Sequence, residues 1–77
     1  MPRGIHNWTA EQVIRFLNSH NFVHVHTRGS HMYYAGKYAG LLRQVCVPFH
    51  GSRSIHPRTL KSIILQSGIS KEEWIKD

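Results

Sequence analysis

The sequence predicts an α+β domain in which a three-stranded antiparallel sheet carries its helices on one face. Two amphipathic stretches with helix-start signals lie toward the two ends, and the segments between them alternate apolar and polar residues. Short links between these segments indicate antiparallel hairpins. Because each helix and the sheet have one apolar side, the economical packing leaves the other sheet face open to solvent.

The first helix is predicted from its cap. Thr9 is the N-cap, Gln12 closes a capping box, and Trp8 and Val13 are placed for a hydrophobic staple. One helical face then carries Val13, Ile14, Phe16 and Leu17. The polar residues 18–21 end the helix.

Three strands are expected next. Residues 22–27 alternate with period two, which predicts Val23, Val25 and Thr27 on the core face and His24 and His26 on the open face. Residues 28–30 form a turn, residues 31–34 a second strand, and residues 36–40 a flexible connection. The third strand covers residues 43–49, with Val45, Val47 and Phe49 on one face, and Pro48 predicts that it is an edge strand.

A second helix follows the polar loop 50–56. Pro57 suits its first turn, Leu60, Ile63, Ile64 and Ser67 line one side, and Gly68 is a ready C-terminal cap. Residues 70–73 repeat the capping-box pattern and start a short terminal helix with Trp74 and Ile75. The predicted core contains Trp8, Phe16, Leu17, Leu60, Ile63 and Ile64.

Length and composition limit the function. The 77 residues, 1–77, make one domain. A chain this short buries only about 60% of its unfolded surface, which favours a shallow site. The single cysteine, Cys46, allows no intrachain disulfide, so a reducing, cytoplasmic location is expected. No apolar stretch approaches the roughly 20 residues that span a bilayer, so no membrane association is expected.

The charged residues of the chain are mostly basic. Ten Lys and Arg against four Asp and Glu give a net charge of +6, and residues 12–71 contain no acid at all. Such a field favours nucleic acid, an anionic membrane surface or an acidic protein partner. Two-metal nucleases and glycosidases are excluded because both need clustered carboxylates.

Histidines are the candidate chemical groups. His24 and His26 could chelate zinc or copper with His50 or His56 as a third ligand, but solvated or RNA-facing histidines are favoured, and no metal or cofactor is expected. Cys46 is expected on the open sheet face as a small inert filler.

His31 follows Gly29 and Ser30 in a tight turn where the backbone can approach a phosphate closely. Arg28, Lys37 and Arg43 on flanking segments could add charge at the same anion. The available chemistry is attack by a ribose 2′-hydroxyl on its own phosphodiester, with imidazole as general base or acid. DNA lacks that hydroxyl and would not react. The alternative is that His31 is an ordinary strand residue.

At these residues the sequence resembles the HicA family of toxins, small RNases of bacterial and archaeal toxin–antitoxin pairs. The resemblance begins with Gly29-Ser30-His31, which opens a strand, and continues with a later strand that contains Val45, Val47 and Pro48. The second helix and the residues after it match as well, at Pro57, Thr59, Leu60, Ser62, Ile63, Ile64, Gln66, Gly68, Ile69 and Ser70. It implies a double-stranded-RNA-binding-domain-like α-β-β-β-α fold. It also implies an endoribonuclease that cleaves mRNA, with His31 as the catalytic residue.

A HicB-type antitoxin that covers the site is the implied protein partner, and direct DNA binding is not expected. Two features depart from the family pattern. Met32 stands where a second histidine or another polar residue is frequent, and residues 38–42 are more apolar than expected, which indicates an antitoxin contact or a packing feature.

Further residues are candidates for RNA binding. Tyr33 shares the parity of His31, so its ring could stack on a base; simple strand packing is the alternative. Arg53, Arg58 and Lys61 lie in the loop and first turns of the second helix, where they could hold a backbone phosphate or remain solvated. Two readings compete with the enzyme: a non-catalytic RNA-binding module, and a domain whose basic face docks an acidic protein.

Overall fold

The computed structural model describes residues 7–76 and confirms the predicted α+β class. The chain forms α1 (Ala10–Ser19), β1 (Val23–Arg28), β2 (His31–Tyr38), β3 (Leu41–Pro48), α2 (Pro57–Ser67) and α3 (Lys71–Trp74). The three strands are antiparallel in the order β1-β2-β3, consistent with a double-stranded-RNA-binding-domain-like arrangement. None of the helices in this part of the chain has the length and hydropathy that a membrane-spanning helix needs.

The ends of α1 follow from local sequence. The Thr9 hydroxyl accepts from the Gln12 N–H at 3.3 Å, and the Gln12 side chain accepts from the Thr9 N–H at 2.9 Å, so the predicted capping box is formed. At the other end Asn21 adopts a left-handed conformation, φ 70°. The Phe22 N–H then reaches back to the Leu17 carbonyl at 3.0 Å, which gives the Schellman arrangement and buries Phe22 fully.

The prediction of a short second strand and a flexible connection over residues 36–40 is wrong. β2 continues to Tyr38, and only Ala39 and Gly40 form the turn, with φ 54° and 80° as a type I′ hairpin needs. Gly36 lies buried inside β2 because the chain at Phe22 crosses it closely. A Cβ on Gly36 would stand 2.8 Å from the Phe22 ring.

The assignment of Val23 and Val25 to the core is also wrong. Their exposed fractions are 59% and 49%. A bulge between His24 and His26 leaves Val25 without a cross-strand partner and reverses the alternation of the side chains. The helices pack against β3, so the edge strand β1 lies beyond their cover.

The core is otherwise close to the prediction. Val45 and Val47 of β3 are fully buried beneath the apolar faces of the helices, together with Val13, Leu17, Leu60 and Ile63. Pro57 starts α2 and Gly68 ends it with φ 75°. Two details differ: Phe49 lies past the end of β3 and is partly exposed, and Ser70 precedes α3 without a side-chain cap, so the second capping box does not form.

Candidate functional site: a histidine cleft

A cleft of about 420 Å³ opens where the start of β2 meets the loop before α2. One wall is the first residue of β2, His31, together with its cross-strand partner Pro48. The loop and the first turns of α2 form the rest of the lining, which is His50, Arg53, Ser54, Ile55, His56 and Thr59. We call this group of residues the histidine cleft.

The loop is held against the sheet at both ends. The Phe49 N–H donates to the Ser30 carbonyl at 2.7 Å, which ties the end of β3 to the turn before His31. Ile55 is buried, and its N–H donates to the Trp8 carbonyl at 2.6 Å. Between these anchors the His50 carbonyl accepts from the Arg53 N–H at 3.3 Å, which closes a turn with Gly51 at φ 64°. His50 and Arg53, which both line the cleft, are therefore the first and last residues of one turn.

The three cleft histidines differ in their hydrogen bonding. The Nδ1 of His56 accepts from the Arg58 N–H at 3.1 Å and caps α2. Because that nitrogen is an acceptor, the neutral ring carries its proton on Nε2. Within residues 7–76, the rings of His31 and His50 have no hydrogen-bond partner, so both nitrogens of each are available to a ligand.

The electrostatic surroundings are cationic. Among residues 7–76, no carboxylate-bearing residue lines the cleft, and Arg53 is one of the lining residues. In the described part of the chain, Glu11 pairs with Arg15 on α1, and Glu73 approaches Lys76 and His20 at the C-terminal end. An anion entering the cleft therefore meets positive charge without a competing acid.

Tyr33 points to the open sheet face, as predicted. Its ring stacks on His26 with centroids 4.4 Å apart, and Cys46 lies opposite it on β3, also on the open face as predicted. The pKa of Tyr33 is raised above its usual 10.0, mainly by a hydrogen bond with the Cys46 side chain. Tyr33 is therefore a neutral phenol near pH 7.

The predicted anion-binding residues lie at different distances from His31 along the fold. Arg28 pairs with His31 across the strands, and Gly29, at φ 59°, forms with Ser30 the turn between them. Arg58 and Lys61 are exposed on α2 outside the cleft lining.

The expectation that Lys37 and Arg43 share an anion with His31 is wrong. Lys37 pairs with Leu42 near the far end of β2, roughly 20 Å along the strand. Arg43 pairs with Gly36, and its guanidinium packs against Gly68 at the C-terminal end of α2. That position suits a cation because the last carbonyls of a helix carry partial negative charge.

The alternative metal site on β1 is excluded by the bulge. His24 pairs with Tyr34 on the helix side of the sheet, whereas His26 pairs with Tyr33 on the open side, so they cannot chelate one ion. His24 instead bonds the Thr27 hydroxyl at 2.7 Å. Among residues 7–76, no three His, Cys, Asp or Glu side chains are grouped to hold a metal.

Sequence reasoning considered His50 and His56 only as metal ligands and missed that both line a cleft with His31. The sequence contains part of the information needed to place His50 near His31. An antiparallel β2–β3 hairpin must bring the end of β3 beside the start of β2, and His50 follows that end by two residues. The bonds that hold this loop in place are tertiary, because the Phe49 N–H reaches the Ser30 carbonyl and the Ile55 N–H reaches the Trp8 carbonyl.

Together, these features define a small α+β domain with an open antiparallel sheet and a cationic histidine cleft at one end of that sheet. Comparison with protein families gives the narrower assignment. The family model for the HicA toxin of bacterial toxin-antitoxin matches residues 10–69, and the chain belongs to this family. It is therefore a toxin with a nuclease-type role and an antitoxin as partner. Comparison with curated proteins and with solved structures gives no match.

Proposed function

We propose that the chain is the toxin of a type II toxin–antitoxin pair and cleaves mRNA without a metal, with His31 as a proton-transfer group. The observation that carries this proposal is the histidine cleft, where His31, whose ring has no hydrogen-bond partner among residues 7–76, and the basic residue Arg53 line one cavity. Translation and growth stop until the antitoxin neutralises the chain.

The chemistry suits RNA because RNA carries its own nucleophile. The 2′-hydroxyl attacks the adjacent phosphorus, the bond to the 5′-oxygen breaks, and a 2′,3′-cyclic phosphate remains. An imidazole can take or give the proton in this reaction, which contributes about 10²–10⁴-fold to the rate. The guanidinium stabilises the charge that grows on the phosphate oxygens.

RNA binding is proposed for the residues around the cleft. Arg28 and the Gly29–Ser30 turn adjoin His31, and Arg53 lines the cavity. Arg58 and Lys61 extend positive charge along the exposed side of α2. Tyr33 stacks on His26, so a base would have to extend this existing stack. A HicB-type antitoxin would neutralise the chain by covering this end of the sheet.

The test is incubation of the purified chain with a long single-stranded RNA in EDTA. His31→Ala and a 2′-deoxy version of the substrate are run beside it, and His24→Ala is the matched control because His24 lies on the opposite sheet side. We expect cleavage by the parent and by His24→Ala, cyclic phosphate ends, and an intact deoxy strand.

The competing function is a non-catalytic RNA-binding module with the same surface. RNA that is bound by the parent chain yet stays intact in every lane would favour this module over the enzyme. Cleavage by His31→Ala at the parent rate would remove His31 from the mechanism.

A further inference from the structure

The proposed cleavage needs two proton transfers, and His31 can perform only one of them in each step. One group must remove the proton from the attacking 2′-hydroxyl, and another must deliver a proton to the departing 5′-oxygen. Met32, which follows His31, carries no titratable group. The second group must therefore come from another part of the cleft.

His56 is unsuited to this second role. Its Nδ1 accepts the Arg58 N–H at 3.1 Å, so its neutral ring already holds a proton on Nε2 and has no free lone pair for another. Protonating Nδ1 would break the cap of α2. His56 can donate from Nε2 to a phosphate oxygen, but it cannot take up and release a proton while α2 stays capped.

His50 meets the requirement. It lines the same cleft as His31, and within residues 7–76 neither of its ring nitrogens is engaged. Its backbone is held in place: Phe49 bonds Ser30, and the His50 carbonyl bonds Arg53. A side chain that is free at the ring and fixed at the backbone suits a group that must change its protonation in each turnover.

We propose that His50 is the second catalytic residue and forms an acid–base pair with His31. This inference rests on the proposed RNase function. One imidazole of the pair takes the 2′-hydroxyl proton as the oxygen–phosphorus bond forms. The other, protonated, gives its proton to the 5′-oxygen as the phosphorus–oxygen bond breaks. No oxidant, reductant or metal enters this balance, and hydrolysis of the cyclic phosphate would reset both rings.

The experiment uses two substrates that differ in the leaving group. One is a dinucleotide with a natural 5′-oxygen, and the other is a ribonucleoside 3′-(4-nitrophenyl phosphate), whose leaving group departs without a proton. Rates are measured for the parent, His31→Ala, His50→Ala and His50→Gln. His56→Asn is the matched cleft control, because an Asn side chain can still accept the Arg58 N–H and cap α2.

We expect both alanine variants to cleave the dinucleotide about 10²–10⁴-fold more slowly than the parent. On the nitrophenyl ester only one of the two should remain slow, and the other, which has lost the general acid, should recover most of its rate. His50→Gln should behave as His50→Ala. His56→Asn should show the same relative rate on both substrates, because a phosphate contact does not depend on the leaving group.

Three results would overturn the pair. If His50→Ala cleaves the dinucleotide at the parent rate while His31→Ala does not, His50 is not catalytic and the RNase proposal stands. If both variants are equally slow on both substrates, neither supplies the general acid and the pair fails. A parent chain that cleaves neither substrate nor long RNA would remove the RNase proposal itself, and this inference with it.

Discussion

The turns at the two ends of β2 each have two residues but lie in different surroundings. The turn before β2 holds Gly29 at φ 59°, and the turn after it holds Ala39 and Gly40 at φ 54° and 80°. The first turn accepts a hydrogen bond from Phe49 and lies beside the histidine cleft. The second stands at an exposed hairpin tip, where Leu42 is 77% exposed.

This difference shows that a hairpin turn becomes part of a site only when another segment packs against it. Loop 49–56 crosses the first turn and adds His50, Arg53 and His56 to His31. The second turn joins β2 directly to β3 and stands at an exposed tip. The apolar residues 38–42 have only partly a packing role: Tyr38 contacts the core, whereas Leu41 and Leu42 remain exposed.

The largest expected effect comes from releasing the loop at the cleft end. Ile55→Ala removes a buried side chain from the anchor and should lower the free energy of unfolding by about 2–5 kcal/mol, with loss of RNA cleavage. Leu42→Ala at the other end should change it by no more than about 0.5 kcal/mol and leave cleavage intact. Urea denaturation and cleavage assays measure both, and equal effects of the two changes would refute the contrast.

A smaller effect is expected at the crossing of Phe22 over β2. Gly36→Ala places a methyl group 2.8 Å from the Phe22 ring and should destabilise the fold by about 1–3 kcal/mol. The backbone at Phe22 and Asn21 lies almost as close, with the Phe22 Cα at 2.9 Å and the Asn21 carbonyl oxygen at 3.0 Å, so a smaller side chain at position 22 would not relieve the contact. Urea denaturation measures the change, and a variant as stable as the parent would show that the chain does not cross β2 this closely.

The charges at the two ends should differ in RNA binding. Arg53→Gln, at the cleft, should reduce the slope of log affinity against log salt by about 0.7 for single-stranded RNA, the effect of one lost phosphate contact. Lys37→Gln, near the hairpin tip, should leave the slope unchanged. Binding titrations between low and physiological salt provide the measurement, and a reduced slope in the Lys37 variant would extend the RNA path beyond the cleft.

The smallest effect is expected at the hairpin tip itself. Ala39 holds a left-handed conformation that Asn tolerates better, and Asn-Gly is the preferred pair for this turn. Ala39→Asn should therefore raise the free energy of unfolding by about 0.5 kcal/mol without changing RNA cleavage. Thermal and urea unfolding would show the gain, and a loss of cleavage would mean that the tip takes part in function.

Much of the fold was predictable because its signals are local. The Thr9 capping box, Pro57 at the start of α2 and Gly68 at its end depend on neighbouring residues alone. Alternation likewise identified Val45 and Val47 as core residues. The RNA-binding and catalytic roles assigned to His31 and the basic residues remain predictions.

The tertiary structure decided what alternation could not. The bulge in β1 moved Val23 and Val25 to the surface and separated His24 from His26, because one extra residue reverses every side chain beyond it. Contacts between residues distant in sequence determined the other features. Phe22 packs over Gly36, and Arg43 packs against Gly68 at the end of α2. Loop 49–56 places His50 and His56 in one cleft with His31. The sequence by itself determined the elements and their caps, since these depend on bonds within a few residues. The cleft depends on segments that meet only after the chain has folded.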